Sequence, residues 1–169
     1  MTMKKVAQKG FTLVEVLLYL TIIMSVISAM AGFIVFTLAT NAKNGVIADI
    51  EQQANQVMSL IEEVGQGAVT ITSPSIGTTG STLSFTTPTS SPAVFTQSTG
   101  VITLSEGGGA PIALTNSHVL ASGFSVNNLS TVGTSGTVRV QFTLSYVNNS
   151  GRNEFSYSNN YTTSVTSRY

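Results

Sequence analysis

Cysteine is absent from this chain of 169 residues, and its absence excludes disulfides and thiolate metal sites. Many exported proteins do without cysteine, so the compartment stays open on this ground. Histidine occurs once, at His118, beside Val119 and Leu120 and with no acidic residue within ten positions. That environment argues against a metal-binding or catalytic imidazole. Charge is scarce as well, at 8% of residues. The three glycines after Glu106 precede no Lys-Ser or Lys-Thr pair, so the segment is not a phosphate loop. No nucleophile, base and orienting group can be assembled from this inventory. The sequence is not that of an enzyme, and it calls for no cofactor and no metal.

The few charges are unevenly placed. Lys4, Lys5 and Lys9 crowd a short leader that ends in Gly10. Without that leader, Lys43, Arg139, Arg152 and Arg168 face seven acidic residues. The remainder then carries a net negative charge, the wrong sign for a phosphate-binding surface, which argues against direct nucleic-acid binding.

From Phe11 to Thr40 the only charge is Glu15. The twenty-five residues after it reach about 37 Å as a helix at ~1.5 Å per residue, enough to cross a bilayer. A cleaved secretory signal has an apolar region of only about 7–15 residues, followed by a small-residue cleavage site. Here the run is longer, and the natural cut precedes it. Three lysines ahead of the span predict a cytoplasmic N-terminus and a C-terminal part outside the cytoplasm. An ionised carboxylate deep in a bilayer costs roughly 2.5–3.5 kcal/mol or more. Within the chain, only the amine freed by a cut after Gly10 would offer Glu15 a partner.

Beyond the span, Ile47, Ile50, Ala54, Val57, Ile61 and Val64 recur at spacings of three and four. Asp49, Glu51, Gln52, Gln53, Asn55, Gln56, Ser59, Glu62 and Glu63 occupy the other positions and predict a solvated face. Glu62 and Glu63 point roughly 100° apart on such a helix. Gly65 and Gly67 predict its end. A single helix from Phe11 to Val64 would be about 80 Å long, with Gly32 its weak point or a close helix contact.

After Gly67 the period changes to two. Ser and Thr make up 38 of the 106 residues from Val64 to Tyr169, and their alternation with Val, Phe, Leu and Tyr predicts a β-rich domain. The clearest strand is Thr137–Val147. A turn at Asn148-Asn149-Ser150-Gly151 leads to a second alternating run containing Phe155, Tyr157, Tyr161 and Val165, which predicts an antiparallel hairpin. Shorter candidates are Thr82–Thr86, Ala93–Gln97, Val101–Ser105 and Phe124–Leu129. Loops are expected at Gly77–Gly80 and Glu106–Gly109. Asn128, Asn148 and Asn160 begin Asn-x-Ser/Thr sequons, matches that arise readily by chance in such a composition.

Lys9-Gly10 followed by Phe-Thr-Leu-Val-Glu-Val-Leu-Leu (residues 11–18) resembles the class III signal of type IV prepilins and type II secretion pseudopilins. The resemblance implies that a prepilin peptidase cuts between Gly10 and Phe11 and methylates the new amine of Phe11. It implies that Glu15 pairs with the terminal amine of an adjacent subunit during assembly. Expected partners are other pilin or pseudopilin subunits, an inner-membrane assembly platform and the lipid bilayer. The expected place is the bacterial inner membrane, single-pass, with the head in the periplasm or in a surface filament. The fold expected is α+β and pilin-like, a long helix packed on an antiparallel β-sheet head. Its parts are a cleaved leader (1–10), a transmembrane and assembly helix (11–40), an amphipathic continuation (41–65) and a β-rich head (66–169).

The stretch from Ala110 to Leu129 and the ending Tyr161–Arg168 are similar to minor pseudopilins of the J type. Major type IVa pilins usually have a C-terminal cysteine pair and a proline in the membrane helix. This chain has neither, and Gly32 lies near the usual proline place. A minor pilin or pseudopilin is therefore the first expectation. A major pilin is the alternative, and a non-polymerising, membrane-anchored binding module is the reading from a different class.

Overall fold

The computed structural model describes Gly10, residues 12–133 and residues 136–167; Lys4, Lys5, Lys9, Phe11 and Arg168 lie outside the described residues. Helix α1 covers Leu13–Gln66. Among the described residues nine strands follow, interrupted by one 3-10 turn at Asn153–Phe155: β1 Thr70–Ser73, β2 Thr79–Gly80, β3 Thr82–Thr86, β4 Ala93–Ser98, β5 Val101–Glu106, β6 Ile112–Ala113, β7 Val119–Asn128, β8 Thr137–Tyr146 and β9 Ser158–Thr166. The architecture is α+β, a long apolar helix packed on antiparallel sheets. The chain divides into two compact units, Met1–Asn41 and Ala42–Tyr169.

In the second unit the strands form two antiparallel sheets, one ordered β1-β3-β4-β5-β6 and the other β2-β7-β8-β9. The 42–66 part of α1 turns one stripe inward: Val46, Ile50, Gln53, Ala54, Val57, Ile61 and Gly65 are buried. Ile47 and Val64 lie at its margins and are only half-buried. Under the stripe sit Phe85, Phe95, Phe142, Leu83, Ile102 and Leu144, all fully buried. The Phe85 and Phe95 rings meet edge to face, their centroids 6.4 Å apart, a favoured aromatic arrangement.

Strand β8 buries Val138, Val140, Phe142 and Leu144 while Arg139 and Gln141 face out. The period-two pattern thus sets its facing. Its pairing with β9 runs without a break from Thr137↔Thr166 to Ser145↔Ser158. The connection is longer than a tight turn, because Phe155 belongs to the 3-10 turn and β9 starts only at Ser158. There Arg152 pairs with Glu154 and lies over the Phe155 ring.

Strand β7 is longer than the alternation from Phe124 suggested. Its register shifts between Ser122 and Ser125, where Gly123 takes φ +64°. This bulge moves the buried side from Val119 and Ala121 to Phe124 and Val126, which breaks the period in the sequence. Thr79–Gly80, expected as loop, pairs with Asn127 and Val126 of β7.

The helix ends where the glycines predicted, but Gly65 and Gly67 do different work. The Gly67 N–H still donates to the Glu63 carbonyl, and the Val69 N–H passes to Thr86 of β3. Gly65 is a buried contact instead: an added Cβ would collide with Val165 Cγ1 of β9.

Candidate assembly site

The first turn of α1 is built by Thr12. Its carbonyl accepts the N–H of Glu15 at 3.1 Å and that of Val16 at 3.2 Å. The Thr12 Oγ1 also accepts from the Glu15 N–H at 3.3 Å, which satisfies a donor that every helix start leaves open. Thr-x-x-Glu is the sequence form of a capping box. Glu15 therefore stands in the first turn, where the helix dipole favours negative charge. It is exposed, and no hydrogen bond or ion pair of its carboxylate occurs among the described residues. Gly10 is exposed with nothing within 4 Å of a would-be Cβ. Phe11, expected to carry the new amine, lies outside the described residues.

From Leu13 to Leu38 every large apolar side chain is at least half exposed, from 50% at Tyr19 and Leu20 to 79% at Leu13. An apolar surface of this kind is far beyond what a water-soluble monomer shows. The helix is long and apolar enough to cross a membrane. Four of its hydroxyls are adapted to that environment. Thr21 and Ser25 donate to the carbonyls three residues back at 2.8 and 2.7 Å, and Thr37 and Thr40 to those four back at 2.9 Å each. Such bonds remove donors that lipid cannot satisfy.

In the second unit, residues expected on a solvated helix face tie the helix to the sheets. Gln53 is buried; its Nε2 donates to Asp49 at 3.1 Å and its Oε1 accepts the Asn116 N–H at 2.7 Å. Glu51 accepts from the Tyr161 hydroxyl at 3.1 Å, and Glu62 from Thr163 Oγ1 at 2.6 Å. Burial pushes the Tyr161 phenol up to about 12. The sequence signal for these clasps is their position beside the apolar stripe, which a two-face division overlooks.

The remaining sequence candidates have structural roles. His118 is exposed, its N–H bonded to Asn116 Oδ1 at 2.9 Å, and its ring lies near that of Tyr146. Asn128 is 1% exposed and its amide donates to the Pro74 carbonyl at 2.7 Å, so this sequon is closed to modification in the folded chain. Among the described residues no group of three or more His, Cys, Asp or Glu side chains is placed to hold a metal ion.

Residues 5–31 match the prokaryotic N-terminal methylation motif. The chain carries a prepilin-type N-terminal signal. The match takes in Lys5 to Gly10, Glu15 and most of the apolar run, and it does not extend to the β head. It supports a pilin- or pseudopilin-type subunit anchored in a membrane. No curated protein and no solved structure matches the chain significantly.

Proposed function

We propose that this chain is a minor pilin or pseudopilin, a structural subunit that enters a type IV pilus-like or type II secretion filament through its N-terminal helix. In this reading residues 1–10 are the leader, 11–40 the transmembrane and assembly helix, 41–65 its amphipathic continuation and 66–169 the head. A prepilin peptidase cuts between Gly10 and Phe11 and methylates the Phe11 amine. The subunit waits in the inner membrane with its head on the periplasmic side. Glu15 then pairs with the terminal amine of a neighbouring subunit on the assembly platform.

One observation carries the proposal: the methylation motif falls on a bare apolar helix whose first turn holds a single carboxylate with no partner among the described residues. A carboxylate and an ammonium that meet in low dielectric compensate one another, whereas either alone is costly. Docking therefore relieves what isolation penalises. The missing cysteine pair, the missing helix proline and the J-type resemblance of the head favour the minor role.

Mass spectrometry of the mature N-terminus in the membrane fraction tests the reading. N-methylphenylalanine at residue 11 is the expected terminus, and an intact Met1 would instead mean a plain anchor. Gly10 supplies an extended residue without a Cβ at the cut, so Gly10→Val should retain the leader. Normal cleavage of that variant would refute the assigned site.

A further inference from the structure

Polar side chains in the apolar run divide into two groups. The hydroxyls of Thr21, Ser25, Thr37 and Thr40 close onto carbonyls of their own helix. Glu15 and Tyr19 have no side-chain hydrogen bond among the described residues. Ser28 also has none, but it lies about half a turn round the helix from Tyr19. Tyr19 cannot use the escape open to serine and threonine, because its hydroxyl sits at the far end of a rigid ring. It is half exposed, at 50%, one helical turn beyond Glu15.

Residues four apart share a helix face, with Cβ atoms ≈ 5–6 Å apart. Side chains on a helix lean toward its N-terminus, so a long residue covers the turn before its own. A long side chain at position 19 therefore has the Glu15 turn within its reach. Of the other neighbours on that face, Leu18 offers no donor, and the Thr12 hydroxyl already accepts the Glu15 N–H. A carboxylate has about four lone-pair sites, and one ammonium leaves some of them open. A pair held in low dielectric is favourable only when those remaining sites find donors.

We infer that Tyr19 is a positioning residue for assembly: its phenol donates a hydrogen bond to the Glu15 carboxylate and holds it toward the terminal ammonium of the neighbouring subunit's helix. The inference rests on the proposed pairing of Glu15 and adds to it the second donor that the carboxylate needs. The bond also satisfies the phenol, which lipid cannot do. No atom is transferred; the two donors share one acceptor.

The test is the fraction of processed full-length chain recovered in sheared filaments from the producing cell. Tyr19→Phe removes one oxygen and keeps the ring, so cleavage and membrane level should stay at wild type. Filament recovery should fall about tenfold, the scale of one hydrogen bond to a charged group. Glu15→Gln should be defective by itself, and adding Tyr19→Phe to it should cause no further loss. The double variant Tyr19→Phe with Leu20→Tyr restores a phenol at the same depth but turns it about 100° away. It should stay defective; recovery to wild type would make Tyr19 an interfacial anchor and overturn the inference. Wild-type recovery of Tyr19→Phe beside a defective Glu15→Gln would overturn the role of Tyr19 alone. So would additive losses in the double variant with Glu15→Gln. Wild-type recovery of Glu15→Gln would remove the pairing and this inference with it.

Discussion

Between Leu13 and Leu38, α1 shows large apolar side chains on every side, while between Val46 and Gly65 it hides one stripe and turns polar residues elsewhere. Both stretches have the same backbone and neither is interrupted by proline. The difference lies in what each must satisfy. A helix apolar all round needs a medium without water, and a striped one needs a single packed neighbour. In the first stretch the isolated carboxylate is conspicuous because lipid offers it nothing. In the second, Glu51 and Glu62 are equally charged yet accept hydrogen bonds from Tyr161 and Thr163. The same residue type is the proposed assembly element in one setting and a structural tie in the other.

Glu15→Leu breaks the first side of this comparison, and it should have the largest effect. In the proposed pathway cleavage precedes docking, so the variant should be processed, stable and resident in the membrane. It should be missing from sheared filaments. Glu15→Asp keeps the charge and shortens the reach by one methylene, which predicts partial incorporation. Wild-type incorporation of the leucine variant would show that the carboxylate does not drive entry.

Phe142→Ala breaks the second side. This residue is fully buried on β8 among Val140, Leu144 and the Tyr161 ring, whose centroid is 5.8 Å away. Removing it from a fragment beginning at Ala42 should cost about 3–5 kcal/mol, a large share of a small domain's stability. Thr143→Ala, on the opposite face, should cost less than about 0.5 kcal/mol. Equal shifts in melting temperature would mean that the facing of β8 is wrong.

Two glycines sharpen the contrast. An alanine Cβ at Gly65 would run into Val165 Cγ1 and approach Phe85 Cζ to 3.2 Å; overpacking of that kind costs about 1–3 kcal/mol. At Gly32 nothing lies within 4 Å, and alanine gains about 1 kcal/mol of helix propensity. Gly65→Ala should lower the melting temperature of the fragment from Ala42. Gly32→Ala should leave the membrane level of the processed chain unchanged. A stabilised Gly65→Ala fragment would rule out the close approach of α1 to β9.

These glycines also mark what could be read in advance. Strand β8 was legible because five alternating residues meet one core, and β3, β4 and β5 because turn residues bound them. The first half of β7 was hidden by the bulge at Gly123, which changes the phase of the pattern. β1, β2 and β6 are too short to have a period. Gln53 looked solvated because its type is polar, but burial is set by its place beside Ala54, and two hydrogen bonds make that burial tolerable. Of the candidate site, Glu15 stood out as the only charge in a long apolar run. Tyr19 did not, because a tyrosine in such a run counts as apolar until its hydroxyl is asked for a partner.

The smallest expected effect concerns the clasp between Tyr161 and Glu51. Burial favours the neutral phenol and, with the Glu51 carboxylate beside it, raises Tyr161 from the ordinary 10 to about 12. A raised value means that the folded chain holds this proton more tightly than the unfolded chain does. The resulting stability is present in full below pH 10 and is lost as pH rises from about 10 to about 12. Tyr161→Phe deletes both the hydrogen bond and this dependence. At pH 7 it should cost about 1 kcal/mol, since the bond reaches a carboxylate that is only partly shielded from water. Between pH 10 and 12 the melting temperature of the wild-type fragment from Ala42 should fall more steeply than that of the variant, so that the two curves converge. Curves that stay parallel through this range would mean that the phenol is not held neutral by the fold. The tie between α1 and β9 would then rest on Glu62 and Thr163 and on the packing of Gly65 against Val165.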